Sequence, residues 1–192
     1  MTQIALFGTS ADPPTAGHQA ILHWLSQRFD QVVVWASDNP FKTHQTPLEH
    51  RMKMLSLLIE EINPPNPNIA VYPELSSRRT LETLERAKQY WSEAEYTLVI
   101  GSDLVQQIPQ WYQIETLLKQ VKLLIVPRPG YGVEATDLEK LKQLGGQVKI
   151  ADIKGLPVSS SHYRQTGNIE VLPPPVQAYI DQEQLYESTV KH

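Results

Sequence analysis

A chain of 192 residues, 41% apolar and 20% charged, is long enough to bury one substantial core, and a single domain over residues 1–192 is expected. A net charge of −4 argues against a general nucleic-acid surface, and zero cysteines exclude disulfides, thiolate metal ligands and a thiol nucleophile. No basic-then-apolar leader and no apolar run near the roughly 18 residues of a membrane span is present, so a cytoplasmic protein with no membrane role is expected.

Short apolar runs alternate with helical patterns along the chain, which predicts βαβ units and an α/β, doubly wound, mostly parallel sheet. The first strand is predicted at residues 3–7, followed by a helix over 16–28 whose Ile21, Leu22, Trp24 and Leu25 face the sheet. A second strand at 31–36 leads to Thr46-Pro47-Leu48-Glu49, which reads as a threonine cap, a proline at the first helical position and a glutamate at the third. That helix runs to about Ile62 and stops at the prolines beyond. A strand at 69–72 and a helix over 81–91 opened by Thr80 come next, then a strand at 96–100 and a helix over 113–120. A strand at 122–126, a helix over 135–144 closed by Gly145-Gly146, a strand at 147–150 and a helix over 176–184 complete the order.

In such sheets ligands sit beyond the carboxyl ends of the strands. The loops at 8–15, 37–46, 73–80, 101–111 and 127–133 are therefore the candidate site. The richest of them is the run Leu6 to His18. Its glycine- and proline-bearing turn ends where a helix starts, and Thr15 and His18, three apart, share one face of the first turn. Unpaired N–H groups, a helix dipole, a histidine, and Gly17 admitting close approach make a phosphate-binding corner. The spelling is neither GxxxxGK[ST] nor GxGxxG.

Other loops carry polar groups with two readings each. Lys42 can reach a polyphosphate or be a solvated loop charge. Gly101 with Asp103 can admit and bond a ribose, or Ser102 or Asp103 can cap the helix that follows. Trp111, from spacing alone, reads first as a core residue. Arg78 and Arg79 can bind a carboxylate or phosphate, or be surface charges before a helix. Arg128 lies in a Pro-Gly turn, where a solvated or structural role is the plain reading. Ser159 to Ser161 begin a helix with hydroxyl and N–H donors, and Arg164 lies one turn along; as serines alone they could be a cap.

Thr15-Ala16-Gly17-His18 resembles the HxGH or TxGH signature of the nucleotidyltransferase superfamily. The whole opening is most similar to that of the nicotinate-mononucleotide adenylyltransferase family, GGTFDPxHxGH, with Thr9, Ala11 and Thr15 as departures. Asn39-Pro40-Phe41-Lys42 loosely matches PPHK, Gln110-Trp111-Tyr112 matches TWY, Arg128-Pro129-Gly130-Tyr131 matches RPGY, and Val158 to Arg164 resembles ISSTxIR. Arg79 stands where that family commonly has tyrosine, beside an aligned Thr80.

The resemblance implies a Rossmann-like nucleotidyltransferase fold and adenylyl transfer from ATP, carrying Mg²⁺, to nicotinate mononucleotide, giving deamido-NAD and pyrophosphate. It implies that His18, with Gly8, Thr9, Thr15 and Gly17, holds the α- and β-phosphates. Lys42 and Arg164 would stabilise the departing pyrophosphate, with Ser160 and Ser161 as added donors. Gly101 and Asp103 would bind the adenosine side. Trp111 would stack on the pyridine, with Arg79, Thr80 and Arg128 around that nucleotide. No protein metal ligand is named. Nicotinamide mononucleotide or another phosphate monoester as acceptor, and a non-catalytic nucleotide sensor, are the alternatives. A homo-oligomer stays open.

Overall fold

The computed structural model describes residues 1–38, 45–62, 68–153 and 159–186. Six strands form one sheet in the order β3-β2-β1-β4-β5-β6. They are β1 (Thr2–Thr9), β2 (Gln31–Ala36), β3 (Ile69–Val71), β4 (Ala94–Gly101), β5 (Val121–Val126) and β6 (Gln147–Ile150). Every pairing is parallel, so the sheet is parallel throughout rather than mostly so. The chain winds outward from β1 to β3, then returns to the other side of β1 and winds outward again. Each predicted strand is found within two residues of its expected ends.

The central strands are unbroken apolar runs because both their faces are covered. Ile4, Ala5, Leu6 and Phe7 of β1, and Leu98, Val99 and Ile100 of β4, are buried. The return from β3 to β4 makes the carboxyl ends of β1 and β4 the point where strand order reverses, and a crevice opens there.

The helices are α1 (Ala16–Ser26), α2 (Leu48–Glu60), α3 (Thr80–Tyr90), α4 (Ile114–Leu118), α5 (Ala135–Gln143), α6 (Ser160–Thr166) and α7 (Pro174–Glu183). Among the described residues, no helix is long and apolar enough to cross a membrane. The end of α5 follows the glycine pattern: Gly145 adopts φ +100°, and the Gly145 and Gly146 amides return to the carbonyls of Lys142 and Leu141.

Two expected caps are not made. Pro47, not Thr46, stands at the start of α2, because the backbone of Thr46 is engaged elsewhere. Its N–H donates to Asp12 Oδ2 at 3.2 Å and its carbonyl accepts from Arg51 Nε at 2.7 Å. Thr80 does not cap α3 but is its first residue, after Arg79. Upstream, Ser77 Oγ accepts from the Arg79 amide and donates to Glu82.

Gly8 fixes how β1 meets β2. A Cβ there would lie 2.5 Å from Trp35 Nε1 and 2.6 Å from Cε2, so the indole occupies the space any side chain would need. Gly8→Ala is expected to lower unfolding stability in urea by about 1–3 kcal/mol. Trp35→Leu removes the obstructing atoms, so the double variant should lose less than the sum of the single losses. Additive losses would show that the indole is not the constraint.

Candidate active site

Past Thr9 the chain turns sharply. Ala11 takes a left-handed backbone, φ +47°, and is fully buried, a strained position held by its surroundings. Thr15 then caps α1 with its side-chain oxygen, accepting from the Gly17 amide at 3.2 Å. His18 closes the box: its Nδ1 accepts from the Thr15 N–H at 2.9 Å, and its Nε2 lies 3.0 Å from Thr9 Oγ1. A nitrogen that accepts an amide proton carries none of its own, so the neutral ring has its proton on Nε2. His18 is thus set as an N–H donor facing the end of β1. A phosphate oxygen arriving there would replace Thr9 as its partner.

The second corner meets the first. Ser159 caps α6, accepting from the His162 amide at 3.0 Å. Ser160 Oγ donates to the Pro13 carbonyl at 2.6 Å. Arg164 Nη1 donates to the Asp12 carbonyl at 2.6 Å, and its Nη2 donates to Ser161 Oγ at 3.1 Å. The second motif therefore grips two adjacent carbonyls, those of Asp12 and Pro13, in the loop that leads into the first motif roughly 140 residues earlier. Lys42 lies outside the described residues.

Two groups at this junction escaped the sequence reading. Arg51, on α2, is 2% exposed and donates to the carbonyls of Thr46, Ser10 (3.0 Å) and Ser37 (2.8 Å). Burial lowers its pKa, while the nearby Asp12 carboxylate acts the other way. Its signal was readable: Arg51 stands on the stripe it shares with Leu55, Leu58 and Ile62, where an apolar residue is expected. Tyr186, beyond α7, donates its hydroxyl to Asp12 Oδ1 and also bonds the Thr46 hydroxyl. Burial first, and then the Asp12 charge, raise its pKa, so it is a donor at neutral pH. Nothing in its local spacing marks that role.

A pocket of about 380 Å³ is lined by residues of β1, β2 and β4 toward their carboxyl ends. Gly8, Trp35, Leu104 and Trp111 give it apolar walls, and Arg79 and Thr80 bring the start of α3 to its edge. Trp111 is half-buried; it packs on the core, as its spacing suggests, and also lines the pocket. The Arg79 guanidinium lies 4.1 Å over the Tyr112 ring and 3.8 Å from Glu82. Arg78 pairs with Asp38 at 3.4 Å.

Asp103 and Arg128 are brought together as an ion pair at 3.1 Å. Gly101 permits it, since a Cβ there would lie 2.5 Å from Asp103 Oδ1 and 3.1 Å from Arg128 Cδ. Neither Ser102 nor Asp103 caps the 3-10 turn that follows; Ser102 Oγ accepts from the Arg128 amide at 2.8 Å instead. Among the described residues, no three His, Cys, Asp or Glu side chains gather where they could hold a metal ion.

The cytidylyltransferase-like family model matches residues 6–166. A Synechocystis sp. protein named probable nicotinate-nucleotide adenylyltransferase is 50% identical over 96% of this chain and 98% of its own. A Bacillus cereus protein of the same name is 30% identical over 98% of this chain and all of its own. In fold, the chain is similar to Plasmodium falciparum nicotinic acid mononucleotide adenylyltransferase complexed with NaAD. The TM-score is 0.81 at 21% identity, covering 97% of this chain and 98% of that one. The same enzyme complexed with APC gives a TM-score of 0.79, also at 21% identity and over the same shares of both chains. The chain belongs to the nicotinate-nucleotide adenylyltransferase family, within the cytidylyltransferase-like proteins.

Proposed function

We propose that this protein, as a single nucleotidyltransferase domain, transfers the adenylyl group of MgATP to nicotinate mononucleotide, releasing pyrophosphate and deamido-NAD. One observation carries the reading: the His18 corner and the Arg164 corner are fastened to the same loop, beside a pocket with aromatic walls and a cationic edge. Its relatives' names point the same way.

The nucleophile is a phosphate monoester, whose second pKa of about 6 leaves it largely ionised at neutral pH. It needs no protein base. What remains is to align two polyanions and neutralise the charge that moves onto pyrophosphate. His18 would donate from Nε2 to the α- or β-phosphate, beside the amides of Gly8, Thr9 and the α1 start at Thr15 and Gly17. Arg164, Ser160, Ser161 and Lys42 would receive the leaving group. Gly101 and Asp103 would take the adenosine side. The metal would arrive as part of the substrate, because Mg²⁺ binds mainly through phosphate oxygens and water. It supplies charge neutralisation on the triphosphate.

The acceptor's ring would enter the pocket and stack on Trp111, with Thr80 and Arg79 at its acidic substituent and Arg128 nearby. An arginine at that edge favours a carboxylate over a carboxamide, since a charge-assisted bond is roughly twice as strong as a neutral one. The substrates are water-soluble nucleotides, which fits a cytoplasmic protein.

Pyrophosphate release should be fastest with nicotinate mononucleotide in a panel holding nicotinamide mononucleotide and 4′-phosphopantetheine. ATP binding without release for any acceptor would identify a nucleotide sensor instead. His18→Ala should lower kcat at least tenfold, about 1.4 kcal/mol of barrier; near-normal turnover would remove His18 from the mechanism. Arg79→Ala should raise KM for nicotinate mononucleotide about tenfold, the cost of one charge-assisted bond, and leave KM for the amide substrate nearly unchanged. Equal changes for both would place Arg79 outside the recognition of the acid.

A further inference from the structure

The segment after α7 reaches the active-site loop, and nothing in the adenylyl-transfer chemistry requires it to. Helix α7 packs on α2, where Tyr179 OH lies 2.8 Å from His50 Nδ1. Gln184 then turns the chain with a left-handed backbone, φ +56°, and the Leu185 amide bonds the Ile180 carbonyl. Tyr186, itself at φ +61°, lays its ring edge-on to the buried Tyr163 of α6, centroids 5.8 Å apart. Its hydroxyl ends on Asp12, whose carboxylate is almost wholly buried.

Asp12 is where the loop's attachments cross. Oδ2 accepts from the Thr46 amide, Oδ1 from Tyr186, and the main-chain oxygen from Arg164. A buried carboxylate tolerates few vacant acceptor sites, because an unmet buried lone pair costs more than the same bond gains on the surface. The carbonyl that aims Arg164 therefore belongs to the residue whose side chain Tyr186 holds. Six residues on, His18 is aimed by Thr9 and Thr15, which flank that residue.

We propose that Tyr186 is a positioning residue for the triphosphate half of the site: through Asp12 it fixes the loop that aims Arg164 and His18. It touches neither substrate. Removing its hydroxyl leaves the pyridine pocket unaltered, since no pocket-lining side chain contacts Asp12 or Tyr186 in the bonds described. The assignment rests on the reading of the Arg164 corner as the triphosphate site, and not on which acceptor is used.

Tyr186→Phe keeps the ring against Tyr163 and deletes only the bonds of the hydroxyl, to Asp12 and to the Thr46 hydroxyl. MgATP alone and nicotinate mononucleotide alone are titrated calorimetrically into wild type and variant, with thermal melting in parallel. The Kd for MgATP is expected to rise about tenfold, the scale of one lost bond to a charged group. The Kd for nicotinate mononucleotide should stay within about twofold of wild type, since the pocket keeps every contact, and in turnover the loss should fall on ATP KM and kcat. In a double-mutant cycle, Asp12→Ala with Tyr186→Phe should bind MgATP no more weakly than Asp12→Ala alone, the mark of two groups acting as one. Unchanged MgATP affinity, equal weakening of both ligands, additive losses in the cycle, or a Tyr186→Phe protein that does not fold would each overturn the proposal. The last would make the hydroxyl an element of stability. Wild-type protein that binds MgATP but turns over no acceptor would defeat the proposed reaction and leave these titrations readable.

Discussion

Four main-chain carbonyls, those of Ser10, Asp12, Pro13 and Ser37, are the anchorage on which the site depends. Arg51 holds the first and last, Arg164 the second and Ser160 the third. Each donor comes from a different turn of helix, and the two helices involved, α2 and α6, are separated by most of the sheet in sequence. A loop beyond a strand end has no ladder to hold it, so its carbonyls must be bonded by something else or left to water. Here that need is met by side chains, two of which, Ser160 and Arg164, are also those proposed to meet the pyrophosphate. On that proposal, structure and function share the same bonds.

The electrostatics follow from that sharing. The chain is net acidic, and the arginines beyond the strand ends are matched locally: Arg78 by Asp38, Arg79 by Glu82 and Arg128 by Asp103, with Arg164 on a carbonyl. On the proposed reaction, local placement rather than net charge would receive the two polyanions. Arg51 shows the cost: its guanidinium is held out of water, and its bonds to three carbonyls and the field of Asp12 offset that burial. Asp103 and Arg128 show a lighter version, each partly exposed and each satisfying the other.

Much of this was legible in the residues. The apolar runs of β1, β2, β4 and β5 have no alternation to misread, and the glycine pair after α5 states its own geometry. The Thr15–His18 spacing put both residues on one face of the first turn, because one helical turn is a local fact; the capping box they form was not read from it. What escaped was non-local. Thr46 has the right residue type for a cap, but Asp12, 34 positions earlier, claims its amide. Thr80 yielded its capping role to a bond network begun at Ser77. Arg51 left a trace, a charge on an apolar stripe, whereas Tyr186 left none, since its partner is 174 residues away. The joining of the Asp103 and Arg128 side chains likewise needed β4 and β5 to be seen side by side.

The anchorage by carbonyls has a bearing on how such a loop can vary. A carbonyl is presented by every residue alike, so the holding groups are indifferent to what side chain sits above them. Adding or deleting one residue between Ser10 and Pro13 is another matter, because every oxygen downstream would slide off its donor. The segment is fixed in its count by its carbonyls, and in its letters only where a side chain is bonded, as at Thr9, Asp12 and Thr15.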